Sequence, residues 1–138
     1  MAEILITHNE SETRAAGRRL AATLSPGATI ALVGNLGAGK TVFVKGVAEG
    51  LGLDADEVSS PTFTLIQEYR GPRTLQHVDL YRISSREADD LGLDELNADG
   101  AVVAIEWAEK LPREAPDAIT IQIEDLGGTE RRITIERS

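Results

Sequence analysis

The stretch Gly34-Asn35-Leu36-Gly37-Ala38-Gly39-Lys40-Thr41 fits the pattern G-x-x-x-x-G-K-[ST] without a mismatch. No other stretch of the chain restricts its fold as much. Glycines open backbone conformations closed to other residues, so consecutive N–H groups can converge on one anion. A helix that starts at the end of the loop adds free N–H groups and a partial positive charge. Lys40 brings a mobile charge for β- and γ-phosphates, and Thr41 a hydroxyl for Mg²⁺. Such a loop needs a buried strand before it and a helix after it, and both are legible. Thr29-Ile30-Ala31-Leu32-Val33 is an apolar, β-branched run of the kind buried parallel strands carry. Behind the loop, Phe43, Val47 and Leu51, with Val44 and Ala48, recur at helical spacing until Gly50 and Gly52 stop the helix. A flexible Gly-rich turn would lack this frame.

The rest of the chain reads as more of one domain, residues 1–138, long enough to bury a real core. Residues 3–7 form a short strand. Asn9 and Glu12 have the spacing of a capping box for a helix running to about Leu24, with Ala16, Leu20 and Leu24 on one face. Phe63 to Tyr69 and Thr74 to Leu80 read as two strands around a Gly71-Pro72 turn. Residues 84–99 are acidic and helix-prone, either a solvated helix or a docking face. Ala101-Val102-Val103-Ala104-Ile105 is a second buried-strand run. Ile119, Ile121 and Ile123 alternate, Leu126-Gly127-Gly128 turns, and Ile133 and Ile135 alternate again, which predicts a terminal antiparallel hairpin. The fold class is therefore α/β, a three-layer fold like that of P-loop NTPases: a small parallel core sheet extended by antiparallel strands. Ligand belongs at the carboxyl ends of the core strands.

Mg²⁺ on a nucleotide needs an acidic residue near Thr41, at the end of a neighbouring buried strand. Glu106 follows the run Ala101–Ile105 and is the better metal-side acid. Asp79 ends the weaker run Leu75-Gln76-His77-Val78 and could orient or deprotonate an attacking water. Thr62, behind Pro61, stands where nucleotide switches put a residue that senses the γ-phosphate. Ordinary strand-end carboxylates and a turn-forming Ser-Pro-Thr are the plainer readings of the same residues. Trp107 could stack on a base or a partner, or sit in the core. His77 reads as a structural residue rather than a base. Asp89-Asp90-Leu91-Gly92 resembles a D-x-x-G switch, but no buried strand precedes it, so a solvated helix end is the better reading.

Several classes fall away. The net charge of −9 disfavours direct nucleic-acid binding, which needs clustered Lys and Arg. With no cysteine and two histidines, thiol nucleophiles, disulfides and Cys- or His-rich zinc sites are out of reach. No apolar stretch is long enough to span a membrane and no signal pattern opens the chain, so the expected location is cytoplasmic. A guanine-reading N-K-x-D sequence is missing, which leaves ATP as the expected nucleotide. A small-molecule kinase is disfavoured because no Arg-rich lid or acceptor domain is visible.

Four motifs in order carry a more specific likeness: the loop Gly34–Thr41, then Ser60-Pro61-Thr62-Phe63-Thr64, then His77-Val78-Asp79-Leu80-Tyr81-Arg82, then Ile105-Glu106-Trp107. Together they resemble the bacterial tRNA threonylcarbamoyladenosine biosynthesis ATPases, the TsaE (YjeE) family, over nearly the whole chain from Thr13 to Arg132. The resemblance implies a cytoplasmic ATPase, weak alone and activated by the TsaD and TsaB proteins. Those proteins place threonylcarbamoyl on adenosine 37 of tRNA, so tRNA would be met only indirectly. It implies that ATP hydrolysis resets the complex between cycles. Leu36, Gly37, Ala38, Gly39, Lys40 and Thr41 would hold the phosphates of ATP or ADP, and Thr41 and Glu106 would hold Mg²⁺. Asp79 would act on the water and Thr62 would be the switch residue. Glu10 or Ser11, and Arg132, would approach the base. Many relatives have Asp where this chain has Asn35, a side chain the phosphate cradle does not use. A second class of function stays open at this point: a binding module whose nucleotide, by binding alone, controls partner affinity.

Overall fold

The runs Thr29–Val33 and Val102–Glu106 are apolar almost throughout, and because neighbouring residues point to opposite sides the sheet has two buried faces. The computed structural model describes residues 2–34, 39–58, 66–80, 84, 86–87, 100–108 and 118–137. In chain order the elements are β1 (Ala2–Thr7), α1 (Glu10–Ala21), β2 (Thr29–Val33), α2 (Lys40–Gly50), a 3-10 turn (Ala55–Glu57), β3 (Ile66–Tyr69), β4 (Leu75–Asp79), β5 (Val102–Glu106), β6 (Ile119–Gly127) and β7 (Glu130–Glu136). The seven strands form one sheet in the order β1-β7-β6-β2-β5-β4-β3. β2 is parallel to both β5 and β6, and β4 is parallel to β5. β7 joins antiparallel to β6, β1 antiparallel to β7, and β3 antiparallel to β4. A parallel core extended by antiparallel strands is what the sequence predicts, and the strand order puts those strands on both sides of it.

Helices α1 and α2 pack against one face of this sheet. Leu20, Phe43, Val44 and Val47 meet Ile30 and Leu32 of β2, Val102 and Ala104 of β5, and Ile121 and Ile133 of the hairpin. The opposite face carries the intervening residues, Ala31, Val78, Val103 and Ile105, with Leu80 and Ala108. The two helices touch closely because glycines stand at their crossing. A Cβ on Gly46 would come within 2.0 Å of the Arg14 carbonyl oxygen, and one on Gly17 within 2.3 Å of that of Phe43.

Local signals hold with small displacements. Asn9 caps α1, its Oδ1 accepting from the Glu12 amide at 2.8 Å. Glu12 reaches back one residue further than the capping-box pattern predicts and accepts from the His8 amide at 2.7 Å. That bond, with the His8 ring beside it, holds the Glu12 carboxyl below the usual carboxylate range. The regular part of α1 ends at Ala21, short of Leu24. The Thr23 hydroxyl takes the Leu20 carbonyl at 2.8 Å, competing with continued helix, while Leu24 stays buried from the turn that follows. α2 includes Gly50 and stops before Gly52, whose φ is +84°. Most of the segment 84–99 lies outside the described residues, as do residues 59–65.

Candidate functional site

Strand β2 and helix α2 flank the glycine-rich loop, and the site is assembled where they meet. Gly39 takes the position before α2 with φ 101°, and Lys40 opens the helix. Lys40 is 4% exposed, and a buried ammonium needs partners. Its Nζ donates to the Gly34 carbonyl at 2.6 Å and lies 3.5 Å from the centre of the Trp107 ring. Leu36, Gly37 and Ala38, expected to cradle phosphate, lie outside the described residues, as does Thr62.

The acids come from neighbouring parallel strands. On β5, Glu106 follows Val102 and Ala104 on the face that carries α2. It therefore stands at the foot of that helix, with its Oε2 3.3 Å and its Oε1 3.5 Å from the Thr41 hydroxyl. On β4, alternation gives His77 and Asp79 the same face as Leu75. The parallel register sets Asp79 directly beside Glu106 and His77 beside Ala104. His77 is wholly buried, and its Nε2 is 2.5 Å from Glu106 Oε2. Thr41 and Glu106 together offer a hydroxyl and a carboxylate, the hard oxygen donors that Mg²⁺ takes. Among the described residues no group of three or more His, Asp and Glu could hold a metal unaided. Two protein oxygens suit an ion that arrives on phosphates and keeps several waters.

Trp107 has a left-handed backbone, with φ 61°, which bulky side chains rarely adopt. Conformations of this kind cost about 1–3 kcal/mol and gather at functional sites. The turn they make lets one half-buried ring pack on the second core cluster and cover Lys40. Arg131 is a residue the sequence reading passed over. It shares the helix-side face with Ile133, and its Nε lies 3.6 Å from where a Cβ on Gly39 would stand. Its Nη1 is held by Asp125 at 3.1 Å and by the carbonyls of Gly128 and Glu130. Arg132, by contrast, alternates to the other face and pairs with Glu124 at 3.2 Å. Only strand parity could have separated the two arginines, through Ile133 as the nearest core residue. Glu10 is exposed at the first turn of α1.

A family model described as threonylcarbamoyl adenosine biosynthesis protein TsaE matches residues 7–133. The chain belongs to the TsaE family. Among its relatives, a TsaE protein of Bacillus subtilis is 45% identical over 130 residues, covering 93% of this chain and 81% of the relative. One of Treponema pallidum is 39% identical over 132 residues, covering 94% and 97%. The fold is similar to a crystal structure of Bacillus subtilis YdiB, with a TM-score of 0.77 and 40% identity over 98% of this chain and 84% of that one. The four motifs that carry the resemblance all fall within the matched TsaE segment.

Proposed function

We propose that this TsaE chain binds ATP with Mg²⁺ and hydrolyses it in support of tRNA threonylcarbamoyladenosine formation, in complex with TsaD and TsaB, in the cytoplasm. One observation carries the ATP reading. The hydroxyl of Thr41, in the first turn of α2, meets the carboxylate that ends β5 through the 3.3 Å approach of Thr41 to Glu106. Phosphate would meet the N–H groups of Leu36 to Gly39 and the start of α2. Lys40 would leave the Gly34 carbonyl and the Trp107 ring for the β- and γ-phosphates. Thr41 and Glu106 would hold Mg²⁺, which when bound neutralises charge on the phosphate oxygens. Asp79 would orient a water and accept its proton as the water oxygen bonds to the γ-phosphorus. The bond from that phosphorus to the bridging oxygen then breaks, and ADP and phosphate leave. Thr62 would sense the γ-phosphate. Glu10 and Arg132 would approach the base side, and the Arg131 guanidinium lies nearer to Gly39.

Two measurements test this reading. ATP hydrolysis by the purified chain is expected to be slow and to rise at least about tenfold when TsaD and TsaB are added together, as gating by a completed site would give. High activity alone with no stimulation would point to a self-sufficient nucleotide enzyme. Trp107 is the only tryptophan, so its fluorescence reports on one place. Its emission should change on adding ATP, because Lys40 then leaves the ring. An unchanged spectrum at saturating ATP would mean that the ammonium stays where it is.

A further inference from the structure

The hydrolysis mechanism gives the buried ring of His77 no task. His77 has no exposed surface, and its ring makes a single polar contact among the described residues, the 2.5 Å approach of Nε2 to Glu106 Oε2. An ionised carboxylate only accepts, so in this contact Nε2 carries the hydrogen. Nδ1 is buried and has no hydrogen-bond partner among the described residues. Histidines that serve packing alone usually have both nitrogens satisfied when buried. Among the described residues the ring keeps only the bond to Glu106.

The geometry explains what that bond does. Glu106 is 3% exposed, so water does not orient its carboxylate. Its approaches to Thr41, at 3.3 and 3.5 Å, are too long to fix it. Asp79 stands directly beside it on β4, and neighbouring like charges repel. His77 lies two residues back on the same strand and face. It is the described donor close enough to hold one oxygen of Glu106 and leave the other for a cation.

We infer that His77 is a positioning residue for the metal side of the site. Its Nε2–H holds Oε2 of Glu106, keeps the carboxylate turned toward Thr41, and so sets how readily a nucleotide-borne divalent cation is accepted. This rests on the reading of the loop and Glu106 as a nucleotide and Mg²⁺ site. Groups that orient a metal's carboxylate from behind typically change metal affinity about 10- to 100-fold when removed.

The test uses ADP binding by calorimetry, across a Mg²⁺ series and in EDTA, for wild type, His77→Leu and His77→Gln. Leu removes the donor and keeps bulk. Gln has its side-chain N–H₂ the same number of bonds from Cβ as Nε2 of histidine. His77→Leu should raise the Mg²⁺ concentration for half-maximal gain in ADP affinity at least about tenfold. ADP affinity in EDTA should stay within about twofold of wild type, which also shows that the variant is folded. His77→Gln should return the Mg²⁺ midpoint most of the way. An unchanged midpoint in His77→Leu overturns the inference. So does loss of ADP binding in EDTA, which would make His77 a residue of the fold. A Gln variant no better than Leu overturns it too, because the donor would not matter. If wild type binds no ADP under any condition, the nucleotide reading falls and this inference falls with it.

Discussion

Lys40→Ala is expected to abolish useful ATP binding while the protein stays folded. The ammonium is buried and would face the phosphates from the first turn of α2. Truncating one partner of a buried, hydrogen-bonded charge pair costs about 2–5 kcal/mol, or roughly 30- to 4,000-fold in affinity. The folded chain should tolerate the loss. The variant also removes the need to bury a cation, and the Gly34 carbonyl sits at a strand end that water can reach. Calorimetric titration with ATP, beside a thermal melt, separates the two effects. An affinity equal to wild type would show that the loop is not a phosphate site. The same titration with Asp79→Ala should show binding retained, and single-turnover assays should show slowed hydrolysis.

The second large effect concerns stability. Gly46→Ala places a methyl group 2.0 Å from a backbone oxygen of α1, where no side chain can rotate away. Either α1 or α2 must move by more than 1 Å, and Leu20, Phe43 and Val47 lose their fit with it. Overpacking usually costs about 1–3 kcal/mol, and a backbone clash belongs at or above the top of that range. Against a total stability of about 5–15 kcal/mol this is a large share. Urea denaturation should show a lower midpoint with an unchanged slope. A shift under about 0.5 kcal/mol would mean that the helices cross further apart than described.

The elements that could be read from the sequence are those whose signal is local. β2, β5 and the β6–β7 hairpin announce themselves by apolar runs or strict alternation, and Asn9 by its spacing to Glu12. The strand-then-acid pattern singled out Glu106, and the structure puts it within 3.3 Å of Thr41. Other features depend on which strands become neighbours, and periodicity within one strand carries no such information. The contact of His77 with Glu106 exists because β4 and β5 pair in parallel with Asp79 beside Glu106. Arg131 and Arg132 are adjacent and chemically identical, and only the pleat decides which turns toward α2. Trp107 had two open readings, core or ligand side. Its left-handed backbone lets it touch both the second core cluster and Lys40, and no spacing rule predicts a positive φ for tryptophan.

The outermost strand has a consequence for how the chain folds. Among the described strands β1 pairs with β7 alone, with Ala2 beside Glu136 and Thr7 beside Arg131. β1 is therefore made well before the strand that will receive it. Until β6 and β7 have been made, the hairpin that will receive β1 does not exist. Closing so long a loop is slow compared with forming α1 or the hairpin, because loop entropy must be overcome before the pairing returns anything. Ile4 and Ile6, already exposed on the finished sheet, stay open to other chains throughout that wait. Completion of the sheet thus waits for the β6–β7 hairpin, and the interval before it leaves Ile4 and Ile6 open to association with other chains.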